Sequence, residues 1–136
     1  MENRYLYKAK RIDNGKWIQG YLYGVWQHKY ILCGITNNVP DMVEVDLTTI
    51  CQCTGMKDKF GKFIWENDIC DRKEQYHEIV KYNNGDWTLD YSYSKGKGEG
   101  YCFCNLGFYV TERKCVKVIG NIFDNPELLR GTENGK

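Results

Sequence analysis

Short runs of alternating apolar and polar residues, broken by turn formers, dominate the chain. Tyr5-Leu6-Tyr7-Lys8-Ala9-Lys10-Arg11-Ile12 is followed by Asp13-Asn14-Gly15-Lys16 and then by Trp17-Ile18-Gln19-Gly20-Tyr21-Leu22-Tyr23. Asn-Gly between two aromatic-rich runs predicts a hairpin, because both residues tolerate positive φ and primed turns match strand twist. The pattern predicts further strands at 28–33 and at 42–47, the latter strictly alternating, with a loop over 34–41 around Asn37-Asn38 and Pro40. Turns are expected at Thr54-Gly55 and at Lys59-Phe60-Gly61-Lys62, and a strand starts at Ile69. Asn83-Asn84-Gly85-Asp86 predicts a second hairpin between 77–82 and 87–93. Residues 94–100 read as a Gly/Lys loop, and 101–104 and 114–119 as later strands. Asn125-Pro126-Glu127 offers a cap, a proline at the first helical position and an acid in the first turn, which predicts one short helix. Residues 130–136 are small and polar, and fraying is expected there. Short strands at regular spacing imply an all-β barrel or sandwich.

Length leaves room for one domain with one sizeable core among 136 residues. A hydrophobic share of 42%, an aromatic share of 15% and only two prolines suit strands and exclude global disorder. The net charge of +1 removes any global drive toward nucleic acid or anionic membrane, so either would need a local patch. No apolar run reaches the length of a membrane span, and the N-terminus lacks the apolar core of a signal peptide, so no membrane partner and a cytoplasmic setting are expected. In that setting seven cysteines, an odd count, favour free thiols over a disulfide framework.

The cysteines raise the sharpest chemical question. Cys51 with Cys53 and Cys102 with Cys104 offer four thiolates for a zinc ion, but Cys-x-Cys lacks the knuckle that aims two sulfurs at one point. Buried thiols acting as small hydrophobes are the expected outcome, with no metal and no cofactor. A thiol nucleophile needs a base, and only His28 and His77 are available. Cys33 lies five residues after His28, on the opposite face of the same predicted strand. Ser92 and Ser94 lack a nucleophile elbow, and Gly96-Lys97-Gly98-Glu99-Gly100 leads into a strand where a phosphate loop would open a helix. A non-enzyme is expected.

Two binding readings compete. Lys10 and Arg11 sit in the aromatic-rich stretch 5–17, and Lys95, Lys97, Arg113, Lys114 and Lys117 would extend a basic rim for nucleic acid. Basic residues also guard exposed strand edges against aggregation. A protein-interaction or self-associating module with open sheet edges and exposed aromatics is the other reading.

Three segments carry a resemblance over nearly the whole chain. They are Lys10-Arg11-Ile12-Asp13-Asn14-Gly15-Lys16-Trp17-Ile18-Gln19-Gly20-Tyr21-Leu22, then Gln52-Cys53-Thr54-Gly55-Met56-Lys57-Asp58-Lys59-Phe60-Gly61-Lys62 with Ile64-Trp65-Glu66-Asn67-Asp68-Ile69, and finally Val118-Ile119-Gly120-Asn121-Ile122-Phe123-Asp124-Asn125-Pro126-Glu127-Leu128. In this order they resemble the YopX family. The resemblance implies a small, mainly β accessory protein of temperate phages and prophages, with a core similar to SH3-like barrels, and it implies no known activity, cofactor or catalytic residue. The chain departs from the family pattern at Cys53, where an aromatic is expected, and at Asn67, where glycine is usual. Asparagine tolerates the left-handed backbone, so the turn before Asp68 is expected to survive. Glu66 and Asp68 read as a structural turn in preference to a catalytic carboxylate pair.

The resulting expectation is an all-β domain with an SH3-like barrel core over 51–129, an antiparallel β layer over 1–50, one short C-terminal helix and a tail over 130–136. Gly15, Gly55, Gly61, Asp68, Gly120, Asn121 and Pro126 are the expected turn or cap positions. Trp17, Ile64, Ile69, Val80, Val118 and Ile119 are the expected core.

Overall fold

The alternating runs fold as antiparallel strands in a computed structural model that describes residues 5–72, 76–91 and 103–129. Lys95, Lys97, Cys102, the 94–100 loop and the 130–136 tail lie outside the described residues. The chain forms two compact units, Met1–Gly55 and Met56–Lys136. The described residues gather most of their buried apolar side chains into two clusters, one in each unit.

The first unit contains β1 (Tyr7–Lys10), β2 (Trp17–Val25), β3 (His28–Thr36), β4 (Val39–Glu44), a 3₁₀ turn at Leu47–Thr49 and most of β5 (Cys51–Lys57). Its antiparallel strands run in the order β4-β3-β2-β1-β5. Side chains two apart share a face, so Ile18 and Leu22 of β2 join Tyr7, Ala9, Ile31, Val45 and Ile50 in the cluster.

Three corners of this unit differ from the sequence expectation. Asn14-Gly15 does not form a two-residue primed turn: Arg11 N–H donates to Lys16 O, Gly15 N–H donates to Arg11 O, and only Gly15 takes positive φ, +72°. The Asn14 side chain accepts the Lys16 N–H and holds this longer loop. The expected loop over 34–41 is instead the end of the β3–β4 hairpin. Asn37 and Asn38 both take positive φ, +52° and +64°, and so do the work that Asn-Gly usually does. Pro40 is tolerated there because β4 is an edge strand. Thr54-Gly55 is no turn either; both lie inside β5, where Gly55 adopts φ +81°.

Gly20 is required by proximity. A Cβ built there would meet the Leu32 carbonyl oxygen and would sit 2.8 Å from Ile31 Cγ2, both in β3. Gly20→Ala is expected to lower the unfolding free energy by about 2 kcal/mol in urea denaturation, since the backbone of a paired strand would have to yield.

The second unit contains β6 (Phe63–Trp65), β7 (Asp68–Asp71), β8 (Glu78–Asn83), β9 (Asp86–Asp90), β10 (Phe103–Asn105), α1 (Leu106–Thr111) and β11 (Lys117–Asn121). Five of its strands form an antiparallel sheet in the order β10-β9-β8-β7-β11. Asn84 and Gly85, both at positive φ, close the β8–β9 hairpin. Ile64, Cys70, Val80, Leu89, Leu106, Val116 and Val118 form the core, with Met56, Trp87, Tyr109 and Val110 packed against them.

The helix α1 has no counterpart in the sequence reading. Its residues include a glycine, two aromatics and two β-branched residues, a poor helix composition. It forms because the Asn105 side chain accepts the Phe108 N–H as a cap and because Leu106 is buried. At the C-terminal end, residues 127–129 are helical. Here Asn125 turns its side chain backward to accept the Asn121 N–H, while its carbonyl accepts the Leu128 N–H across Pro126. Gly120 makes room for this, because a Cβ there would lie 2.5 Å from Asn125 Oδ1. Asn121 Oδ1 accepts the N–H groups of Phe123 and Asp124.

Ile64, Ile69, Val80 and Val118 are buried, whereas Trp17 and Ile119 are only half-buried and do not belong to the core. Trp17 points away from the Ile18 face, and Ile119 sits where the β11–β7 register shifts. The described architecture is all-β.

Candidate functional site

The second face of the first sheet collects aromatics and lysines. Trp17, Gln19, Tyr21, Tyr23 and Val25 alternate with the inward positions of β2. The β1–β2 register sets Lys10 opposite Trp17 and Lys8 opposite Gln19. Both ammonium groups approach the Trp17 ring, at 4.8 Å for Lys8 and 5.4 Å for Lys10. Tyr23 faces Tyr30 of β3 with ring centres 6.5 Å apart, and His28 Nδ1 lies 2.8 Å from Glu44 Oε2. Arg11 does not join this face. Its guanidinium grips the Asp13 carboxylate at 2.8 and 2.7 Å, and that hydrogen bond holds Asp13 below the usual carboxylate range.

Toward the edge the face becomes apolar. Leu6, Tyr21, Leu32, Cys33 and Ile35 line an open groove of about 400 Å³. Ile35 is 73% exposed, and Met42, opposite Leu32 on the edge strand, 50%. At the tip of the β2–β3 hairpin Trp26 is 87% exposed and takes φ +58°, unusual for a bulky residue.

In the second unit a buried carboxylate organises the loop between β5 and β6. Asp58 Oδ1 accepts the N–H groups of Phe60 and Lys62, and Oδ2 accepts that of Val118, each at 2.9 Å. Burial opposes ionisation of Asp58, but these three donors outweigh it and draw its pKa below the ordinary value. Backbone bonds from Asp58 N–H to Lys62 O and from Lys59 N–H to Val116 O complete the clamp, and Gly61 takes φ +83°. The loop presents Phe60, 70% exposed, with Lys59 and Lys117 ammonium groups 5.5 and 5.8 Å from its ring centre. Of the other basic candidates, Arg113 lies 5.6 Å from the Phe108 ring and Lys114 is exposed at φ +53°. In the sequence, Lys59-Phe60-Gly61-Lys62 reads as turn chemistry and nothing more. Its functional signal was an aromatic between lysines next to an acid.

Other polar groups serve the architecture. Asp68, buried, accepts the Trp65 N–H at 2.8 Å, and Asn67 turns the chain at φ +71° while its carbonyl accepts the Ile122 N–H. Arg72 and Glu78 form a two-pronged ion pair at 2.8 and 2.9 Å, with side chains 8% and 0% exposed. Burial disfavours the Arg72 charge, yet the hydrogen bond and charge of Glu78 prevail and raise its pKa. The Arg72 guanidinium also lies 4.2 Å from the Tyr109 ring centre and 3.2 Å from Cys104 Sγ.

Cys51 and Cys53 are fully buried, with Cys51 Sγ donating to Thr49 O at 3.3 Å. Burial pushes the Cys70 thiol well above its usual pKa. No group of three or more His, Cys, Asp or Glu side chains suited to a metal occurs among the described residues. Nor is any described helix long and apolar enough to cross a membrane.

The family pattern described as YopX protein matches residues 6–130, nearly the full chain. This chain belongs to the YopX family. Its structure is similar to the X-ray crystal structure of protein yopX from Bacillus subtilis, with a TM-score of 0.53 at 20% identity. The likeness covers 93% of this chain and 98% of that one, and at such identity it is a likeness of fold. No curated protein matches this YopX-family chain.

Proposed function

We propose that this YopX-family chain is a phage or prophage accessory protein that acts in the host cytoplasm as a non-catalytic protein-interaction or self-associating module. The observation that carries the reading is the apolar edge of the first sheet, where Ile35 and Met42 stand exposed beside an open apolar groove. Exposed apolar patches next to concave surface are characteristic of interaction sites. Pro40 blocks simple strand addition along β4, so the contact is one of side chains packing into the groove. The same reading takes the five antiparallel strands of the second unit for an SH3-like barrel core. Its non-catalytic character is supported by the engagement of the buried acids: Asp58 and Asp68 bind backbone amides and Glu78 holds Arg72.

Light scattering over a concentration series tests the self-associating form. The wild-type chain is expected to form a stable oligomer, and Ile35→Asp to shift it to monomer without lowering its melting temperature. A chain that stays monomeric at every concentration, with or without the substitution, sinks that form of the reading.

A further inference from the structure

We infer that Phe60, with Lys59 and Lys117, is a stacking site for single-stranded nucleic acid in the second unit. A single exposed apolar side chain is ordinary on a protein surface. The setting of Phe60 is not. Its loop is fixed at both ends by the Asp58 carboxylate and by the Lys59–Val116 backbone bond, so the ring is presented rather than left dangling. An aromatic ring held in water by a rigid loop forgoes burial that would stabilise the fold.

Two cations stand beside that ring, at 5.5 and 5.8 Å, and among the described residues neither Lys59 nor Lys117 is in an ion pair. Among the described residues, Asp58 precedes Lys59 and Asp71 faces Lys117. The Asp58 carboxylate is buried and filled by three N–H donors, and Asp71 sits opposite Lys117 in the β11–β7 register without pairing to it. The two ammonium groups are therefore open to an external anion.

An aromatic face with adjacent free cations matches one ligand chemistry closely. A nucleobase stacks on the ring while the flanking phosphates meet the ammonium groups. In a duplex the base faces are already stacked and out of reach of a side chain such as this, so the site selects single strands. Stacking reads no base edge, so broad sequence tolerance follows.

Fluorescence anisotropy with the full chain tests the site, using dye-labelled oligothymidylate, oligouridylate and a duplex of equal length at several salt concentrations. Both single strands are expected to bind at low salt and more tightly than the duplex, and a difference between them tells whether DNA or RNA is preferred. Phe60→Ala should weaken single-strand binding about tenfold or more, while Phe60→Trp retains it. Lys117→Gln should flatten the dependence of log affinity on log salt by about 0.7. Because Phe60 is exposed, its substitution should leave the thermal melt unchanged, and Ile35→Asp should leave nucleic-acid binding unchanged. No binding even at low salt, equal binding by Phe60→Ala, or preference for duplex would each overturn the inference.

Discussion

Arg72→Ala is expected to lower the unfolding free energy by about 3–5 kcal/mol, the largest single-site effect in the molecule. The cause is what the substitution leaves behind. Glu78 has no solvent exposure, and its carboxylate is held by both prongs of the guanidinium. Without Arg72 that buried group loses the guanidinium that balances its charge and must either remain charged or bind a proton, and both cost free energy. The stacking of Arg72 on Tyr109 and its contact with Cys104 would be lost as well. Against a typical total stability of about 5–15 kcal/mol, such a loss leaves a marginal protein. The double substitution Arg72→Met with Glu78→Leu should recover most of it, since apolar side chains of similar volume replace buried ion pairs with little net loss. Urea denaturation of the wild type, both single variants and the double variant measures the cycle. A loss below about 1 kcal/mol for Arg72→Ala would show that the pair contributes nothing.

Asp58→Ala should cost about 3–4 kcal/mol at neutral pH, because three backbone N–H groups lose a charged acceptor. The effect is pH-dependent with a defined sign. The folded-state pKa of Asp58 lies below its ordinary value, so the stabilisation is complete above about pH 5 and is lost as pH falls through that depressed pKa. The gap between wild type and Asp58→Ala should therefore narrow progressively below about pH 4. Denaturation curves at pH 7 and in acid give the comparison. A gap that does not change with pH would mean that the ionised carboxylate is not what holds the loop. Asp58→Ala should also weaken oligonucleotide binding, although Asp58 faces the loop's own backbone, because Phe60 and Lys59 would no longer be held in place.

Much of this was legible in the order of residues. Alternation located the strands, and Asn84-Gly85 marked its hairpin because both residues accept positive φ. The β1–β2 hairpin forms as Asn14-Gly15 predicts, with a longer corner than a primed turn, and the β3–β4 hairpin was hidden because Asn37-Asn38 lacks the glycine that usually marks such a turn. Turn type depends on which backbone groups the neighbouring side chains satisfy, as Asn14 does for Lys16. Helix α1 escaped because it is so short: its apolar stripe of Leu106, Tyr109 and Val110 is a single i, i+3, i+4 set, too brief to stand out as a helical period. The basic candidates were read as a list of positions, whereas a site needs them beside an aromatic ring. Lys117 meets that condition, while Arg11 is taken by Asp13 two residues away. The juxtaposition of Phe60 with Lys117 was invisible because it depends on the Asp58–Val118 bond, which joins residues 60 apart in sequence.

Strand β11 has a consequence for how the chain is made. Strands β8 to β10 each lie beside the strand synthesised just before them, so that part of the sheet can assemble as it leaves the ribosome. β11 pairs with β7, the oldest strand of the set, and Val118 supplies the last donor to Asp58. Until that strand emerges, β7 keeps an open edge, a template for the wrong neighbour and a target for proteases. A nascent chain stopped anywhere between Thr111 and Val118 has thus spent nearly all of its synthesis without closing the sheet of its second unit.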